Sequence, residues 1–526
     1  MTVLVDPSQR GGADEGPGDA VTTPRQSVGK PAAGEQATAL VAAPPDADPA
    51  PLAEPPITGG KVEELMGRLI KVLAHSPLAR PLPAVALSAL GLLGVAFVGL
   101  CATAPHPSLA TPPVLLPLTD LARQAGVPHL SNDASNAIMY VAITLCCLGL
   151  AMMLWANSHL GWAPSPRKVF AVAAGAIAVL VCITPVGSGD IASYASYGRI
   201  AALGQNPYTF LPAQLPGGSG NPYTAIVNPM WRHTPSVYGP IATWIQTLAA
   251  LIGGPRPWVT ILALMVMTAG AFLATGYVLI RTAENPVRAA LMWAGNPLLI
   301  VELVMGGHLD AFLALAAIGA IVMSRRARTV RDDIVVGVLV GLAGGIKINA
   351  AYVALGIAIP LLHDRHWLRL VRTMAVAGVT TGGLYLATWG VDALKPLHQA
   401  SQQIISPTIW RLIVVWSTQV DPDSKAMLTT VIGFAWEPLM LLLAWYLYNR
   451  LSPSVPTVVA ATCALTFAWV IAASWSLPWY ASIAWVTLAL LPRNSLTRWL
   501  TVATGLLALL HFNGGWPMNM TVGPTP

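Results

Sequence analysis

The chain has 526 residues, of which 55% are hydrophobic and only 10% charged, with a formal net charge of +6 and a mean hydropathy of +0.61. A soluble domain carries roughly a quarter charged residues, so this composition excludes an ordinary soluble protein and points to repeated membrane crossings. The positive charge does not mark a nucleic-acid binder, because it gathers beside apolar runs, where membrane orientation requires it.

The first sixty residues stand apart. They are rich in Pro, Ala and Gly and carry eight acidic residues against three basic ones, a net −5 that leaves +11 for the rest. With few bulky apolar groups, residues 1–60 cannot offset their ordering entropy and are expected to form a disordered cytoplasmic arm. No basic-then-apolar start marks a cleavable signal peptide. Residues 61–526 then form the membrane domain. Crossings are expected at Leu82–Ala104, Ala137–Ala156, Val169–Val186, Pro240–Ile252, Val259–Ile280, Ala311–Met323 and Ile334–Gly345. They continue at Ala350–Leu362, Val371–Gly390, Met427–Tyr448, Val455–Ala473, Ala481–Leu491 and Leu500–His511. The fold expected is an all-α polytopic membrane protein with about 13 transmembrane helices.

Lys61, Arg68, Lys71 and Arg80 precede the first crossing and place the N-terminus in the cytoplasm. Seventeen Lys and Arg beyond the arm then fall inside, including Arg256 and the Arg325–Arg331 and Arg365–Arg372 clusters, against nine elsewhere. That asymmetry is the positive-inside pattern. Pro286–Gly306 conflicts with it, since a further crossing there would move the Arg325–Arg331 cluster outside. The segment contains Asn296-Pro297 and ends in Gly306-Gly307, both poor continuations of a helix. A non-spanning pair of short helices is therefore expected, with Arg281–Pro286 and His308 sharing the outer face. Lys347 raises a similar question. The stretch from Asp333 to His363 is too short for two crossings of a core about 30 Å thick, so a V-shaped pair with Lys347-Ile348-Asn349 at its apex is expected.

Asp190 is the leading candidate for chemistry. It follows an apolar run, within Gly189-Asp190-Ile191-Ala192-Ser193-Tyr194-Ala195-Ser196-Tyr197-Gly198-Arg199, and a carboxylate at the mouth of a span is a functional candidate by default. Read alone, it is equally consistent with a solvated loop residue. Gly307-His308-Leu309-Asp310 and Lys347 fall on the same side, as does the long loop from Gly187 to Tyr238. A carboxylate can serve as general base while Lys and Arg hold a departing phosphate, a mixture suited to transfer from a phosphorylated lipid. The chain has no P-loop, GxGxxG or HExxH pattern. His308 and Asp310 are too few for a metal centre and read as hydrogen-bonding groups. Cys101, Cys146, Cys147, Cys182 and Cys463 all lie in apolar runs and read as small core residues. Trp410, Trp416, Trp475, Trp479 and Tyr480 read as interfacial aromatics, one or two of which can stack on sugar faces. Glu302 and Glu437 fit buried hydrogen bonds or a proton-coupled transporter.

The order of these motifs resembles the GT-C glycosyltransferases, polytopic enzymes that use polyprenyl-phosphate sugars. It is most similar to the polyprenol-phosphomannose-dependent α-1,6-mannosyltransferases of the MptA/MptB type, with a leaning toward MptB. The residues that carry the resemblance begin with Gly187-Ser188-Gly189-Asp190, Tyr197-Gly198-Arg199, Asn206-Pro207-Tyr208 and Thr234-Pro235-Ser236-Val237-Tyr238-Gly239-Pro240. Asn296-Pro297, Gly306-Gly307-His308-Leu309-Asp310 and Gly344-Gly345-Ile346-Lys347 follow. Leu309 departs from the Asn that related chains often place before the acid.

The resemblance implies an enzyme of the plasma membrane, multi-pass, with an extracytoplasmic active site. It would transfer mannose from a polyprenyl-phosphate-mannose donor to the 6-hydroxyl of a growing lipid-anchored α-1,6-mannan. The reaction would invert the anomeric centre, with Asp190 as base, and use no nucleotide; no cofactor and no metal-binding residues are expected. Lys347 and Arg199 would bind the donor phosphate. Tyr194, Tyr197, Tyr208, Trp231, Arg232, His233, Tyr238, His308 and Asp310 would line the sugar and acceptor. An arabinosyl- or oligosaccharyltransferase of the same architecture, or a secondary transporter, are the alternatives; the chain shows no repeated halves that would favour the last.

Overall fold

The computed structural model describes residues 68, 80–101, 115–397, 403–405, 407–451 and 457–512. The expected arm, residues 1–60, lies outside them. All regular secondary structure among the described residues is helical. A chain with this hydropathy has reason to be so, because a helix satisfies its own backbone without water.

From Arg80 onward the described residues begin with four helices: α1 (Pro81–Leu100), α2 (Pro117–Gln124), α3 (Asn132–His159) and α4 (Pro166–Leu180). Proline begins three of them, where its missing N–H costs nothing. The fourth, α3, is capped by the Ser131 hydroxyl, which accepts from Ala134 N at 3.2 Å. After α4 the chain leaves helical structure and is fastened to α2, with Leu118 N donating to Cys182 O at 2.9 Å and Thr184 N to Thr119 Oγ1 at 2.9 Å. This connection delivers Asp190 to the start of α5 (Asp190–Ala202). Next come α6 (Pro240–Gly253), α7 (Pro257–Thr282), α8 (Pro286–Met292) and α9 (Pro297–Met305), whose Ile300–Met305 part is a π-helix. The antiparallel pair α10 (Asp310–Arg326) and α11 (Val330–Ile346) follows. A capping box starts α11: Asp332 N donates to Thr329 Oγ1 at 3.2 Å and Thr329 N to Asp332 Oδ2 at 2.9 Å. The rest comprises α12 (Ala351–His363), α13 (Trp367–Thr388), α14 (Ile409–Val420), α15 (Ser424–Asn449), α16 (Thr457–Ala472), α17 (Ser482–Leu490) and α18 (Leu496–Phe512).

Five described helices are long and apolar enough to cross a membrane by themselves, namely α1, α3, α7, α13 and α15. The α8–α9 pair, bent by 42°, brings the number to six if it is one span. Among the described residues, five or six helices rather than thirteen meet that length and composition. The remaining expected crossings are shorter helices. At 1.5 Å per residue the 14-residue α6 reaches only about 21 Å, short of a core about 30 Å thick.

The non-spanning pair needs correction. Trp293 Nε1 donates to Phe272 O at 2.8 Å, and Gly307 lies against Met265, so the segment runs antiparallel along α7. At its start, Arg288 donates to the carbonyls of Leu488 and Leu491, both at 2.7 Å. Close by in sequence, Arg493 donates to Asn157 O and Ser158 O at the end of α3, both at 2.8 Å. At its finish, Gly307 meets Ile191 beside Asp190. Arg281–Pro286 and His308 thus lie at opposite ends of the segment. Arg256 precedes α7 at the end of that helix nearer Asp190. The bend itself is where expected, with Asn296 Oδ1 accepting from Leu298 N and Leu299 N at 3.1 and 3.3 Å to restart the helix.

Candidate functional site

Asp190 opens α5, with its backbone N donating to Ser188 Oγ at 3.2 Å. A helix N-terminus favours negative charge. Its side chain is 31% exposed, whereas the groups around it are buried. Tyr194, one turn later, donates its hydroxyl to Asp190 Oδ2 at 3.4 Å and in turn accepts from Tyr238 OH at 3.3 Å. The two tyrosine rings meet edge to face at 4.9 Å.

His308 completes this chain of contacts. Its Nδ1 lies 3.3 Å from Tyr194 OH and 3.8 Å from Asp190 Oδ2, while Nε2 has no hydrogen-bond partner among the described residues. The tautomer with the proton on Nδ1 directs it toward those oxygens and leaves only a lone pair unmatched. Gly307, at φ +65°, makes the turn, and a Cβ there would collide with Ile191. The imidazole stacks on Trp479 at 3.5 Å between centroids, with the planes 15° apart.

The second charged unit joins α10 to α11. Asp310, wholly buried, takes both its oxygens to Lys347 Nζ, at 3.1 and 2.8 Å. Lys347 caps the end of α11 in an extended conformation before a 3₁₀ turn, Ile348–Ala350, leads into α12. The chain therefore breaks at Lys347, and its ammonium has Asp310, rather than Glu302 or Glu437, as its acid. It also lies over the Tyr480 ring at 4.0 Å and the Tyr238 ring at 5.8 Å. Tyr238 is fixed beside it because Gly239 N donates to Ile346 O at 3.0 Å. A Cβ at Gly239 would run into the Gly345 carbonyl.

The electrostatics of Asp190 follow. It lies outside the candidate spanning helices, and burial pushes its carboxyl up to about 6. Lys347 draws it back down, Asp310 adds to the rise, and the Tyr194 hydrogen bond lowers it again. A carboxyl so tuned is mostly ionised at neutral pH yet far more basic than a free aspartate.

Six of the expected residues thus converge: Asp190, Tyr194, Tyr238, His308, Asp310 and Lys347. Others do not. Arg199 is nine residues along α5, about 13 Å from Asp190 at 1.5 Å per residue, with its guanidinium 5.8 Å from the Tyr223 ring. The described contact of Arg199 is thus with Tyr223 rather than with Lys347. Arg232 is spent on its own loop, donating to Val227 O at 2.9 Å and Ala225 O at 3.1 Å. Tyr197 OH donates to Thr234 O at 2.9 Å, and Tyr208 OH meets Thr243 Oγ1 at 3.0 Å; both hold the loop to the helices. Trp231 lies partly exposed on a short turn, and His233 is exposed beyond it.

Trp479 and Tyr480 are the residues whose role the sequence hid. They look like interfacial aromatics until the fold brings them against His308 and Lys347. Trp410, of the same group, donates its Nε1 to Ala472 O at 2.6 Å and is structural. Among the described residues no three His, Cys, Asp or Glu side chains are grouped to hold a metal ion.

The family model described as alpha-(1->6)-mannopyranosyltransferase, N-terminal domain, matches residues 86–364, which include all of this cluster except Trp479 and Tyr480. The chain is 23% identical over 440 residues to alpha-(1->6)-mannopyranosyltransferase A of Corynebacterium glutamicum, covering 73% of this chain and 85% of that one. It is 23% identical over 396 residues to the protein of that name from Mycobacterium tuberculosis, covering 64% and 70%. Alpha-(1->6)-mannopyranosyltransferase B of C. glutamicum matches at 28% over 141 residues, 26% of this chain and 23% of that one. No solved structure matches. The chain belongs to the MptA/MptB family of alpha-(1->6)-mannopyranosyltransferases and is a membrane mannosyltransferase.

Proposed function

We propose that this enzyme transfers mannose from a polyprenyl-phosphate-mannose donor to the 6-hydroxyl of a growing, lipid-anchored α-1,6-mannan, with Asp190 as general base. The observation that carries this reading is the Asp190 carboxylate, 31% exposed among otherwise buried groups, with Tyr194 and His308 on one of its oxygens. The acceptor hydroxyl gives its proton to Asp190 as its oxygen forms the new bond to C1 of mannose. The C1–O bond to phosphate breaks on the opposite face, its electron pair passing to the departing polyprenyl phosphate. One such displacement inverts the anomeric centre.

Lys347 is the group to meet that phosphate. Its ammonium has three donors, and Asp310 occupies its charge from one side. One remaining N–H can therefore join the leaving oxygen as charge develops there. Asp310 fixes the ammonium in place, and His308, stacked on Trp479, fixes Tyr194 and Asp190. The Tyr480 and Trp479 rings offer faces for sugar C–H groups.

The extracytoplasmic placement rests on charge. Asp310 and Arg326 are the two ends of α10, 17 residues or about 25 Å apart. The Arg325–Arg331 cluster thus lies at the end remote from Asp190, and such clusters face the cytoplasm. Purified protein in vesicles, supplied with polyprenyl-phosphate mannose and a short α-1,6-mannoside, should yield an acceptor one residue longer with a new α-1,6 linkage. Transfer from a nucleotide sugar with no lipid-linked donor present would refute the proposed donor.

A further inference from the structure

The end of the molecule remote from Asp190 carries a second charged assembly that the transfer reaction does not use. Asp333, 2% exposed, accepts from Arg369 Nε at 3.0 Å and from Arg372 Nη2 at 2.9 Å. Arg369 also donates to Ala327 O at 3.3 Å. These bonds bind the start of α13 to the turn between α10 and α11, the turn that carries Arg328 and leads to Arg331, and Arg365 lies four residues before Arg369 in the chain. Asp332, the other acid in that turn, is occupied by the backbone N–H groups of Arg328 and Thr329, both at 2.9 Å. Arg326, Arg328, Arg331 and Arg365 are exposed, and none of them pairs with a carboxylate among the described residues.

The surface next to these guanidiniums is apolar and open. Trp367, Leu368 and Val371, in the first turns of α13, are 55%, 81% and 64% exposed. Val379 and Leu386 continue the same character along the helix at 75% and 73%. Because α13 meets the length and composition of a membrane span, such side chains face acyl chains, and the arginines at its start lie at headgroup depth. Guanidinium forks match the paired oxygens of a phosphodiester.

We infer that the junction of α10, α11 and α13 is a binding site for an anionic phospholipid, whose phosphodiester headgroup is held by Arg328, Arg331 and Arg365 while its acyl chains lie on Trp367, Leu368 and Val371. The orientation rule alone asks only for net positive charge on this side. It does not ask that Asp333 be engaged by Arg369 and Arg372, nor that the exposed arginines border an apolar strip at a helix start. A bare anion site would not need that strip. The occupant is therefore a lipid rather than a soluble phosphate.

The test is native mass spectrometry of the detergent-purified full chain, titrated separately with phosphatidylglycerol and phosphatidylcholine. A basic residue close to an anionic surface contributes about fivefold in affinity. Wild-type protein should therefore retain phosphatidylglycerol at least about tenfold better than phosphatidylcholine. Arg328→Gln/Arg331→Gln/Arg365→Gln should abolish most of that preference and leave phosphatidylcholine binding unchanged. The single variants Arg328→Gln and Arg331→Gln should give graded losses, so the result does not depend on the triple variant folding. Removing cations elsewhere, by Arg411→Gln/Lys425→Gln, should leave the preference intact. Equal retention of the two lipids, a preference surviving in the triple variant, or an equal loss in the control would each overturn the assignment. So would displacement of the lipid by excess inorganic phosphate, which would mark a site for the bare anion. None of these readouts depends on the sugar, the donor or the role of Asp190.

Discussion

Lys347 and Asp310 pair at 2.8 Å where the end of α11 meets the start of α10. The two helices are antiparallel neighbours, so this one contact closes their open ends and sets a cation beside the Asp190 helix. Breaking such a pair by removing one partner strands a buried charge, which typically costs about 3–5 kcal/mol. Lys347→Met should therefore lower the melting temperature of the purified protein clearly, and Lys347→Met/Asp310→Asn should recover part of the loss. In the folded fraction, Lys347→Met should raise the apparent donor constant on the order of tenfold to a hundredfold, as expected for a lost charge-assisted hydrogen bond of roughly 1.5–3 kcal/mol. A donor constant that did not move would leave Lys347 with a structural role alone.

The pH dependence follows from Asp190. Its carboxyl is raised to about 6, and only the ionised form accepts a proton. Activity should thus be nearly full at pH 7 and fall as pH drops through about 6, with a single limb in kcat/KM. A limb near the ordinary aspartate range would mean that Asp190 is solvated during turnover.

Tyr194→Phe removes the hydroxyl that lowers the carboxyl. The acid limb should then move to higher pH, and the rate at neutral pH should fall about tenfold, in line with a hydrogen bond to a charged group worth roughly 1.5–3 kcal/mol. Equal loss at every pH, with the limb unmoved, would point to misplacement of the helix.

Much of this cluster is legible before folding, because a charged or strongly polar group inside apolar sequence is expensive and so stands out. Asp190, His308, Asp310 and Lys347 all belong to that class. The charged residues of the long loop mislead for the opposite reason. Arg199 and Arg232 have the chemistry of phosphate ligands, yet a loop must satisfy its own carbonyls, and Arg232 is consumed in doing so. Tyr480 was hidden by distance, since it meets Lys347 from 133 positions away in the chain. The course of the α8–α9 segment is hard to read from sequence for another reason, which is parity. One short helix counted as a crossing reverses every side after it.

That correction is testable by labelling. In a background without the five cysteines, Glu284→Cys and His233→Cys place exposed thiols at opposite ends of the α7 and α8–α9 pair. An impermeant reagent added outside intact cells should modify the His233→Cys variant and spare the other. Equal labelling of both would restore the non-spanning pair and dismantle the topology described above.

The most direct test of the central claim is the transfer rate of Asp190→Asn. The substitution keeps the shape and the Tyr194 hydrogen bond but removes the basicity. With inserted, folded protein and saturating donor, transfer to the α-1,6-mannoside should fall by about 100- to 10,000-fold, while donor binding persists. Transfer by that variant at a rate near wild type would contradict the assignment of Asp190 as the base.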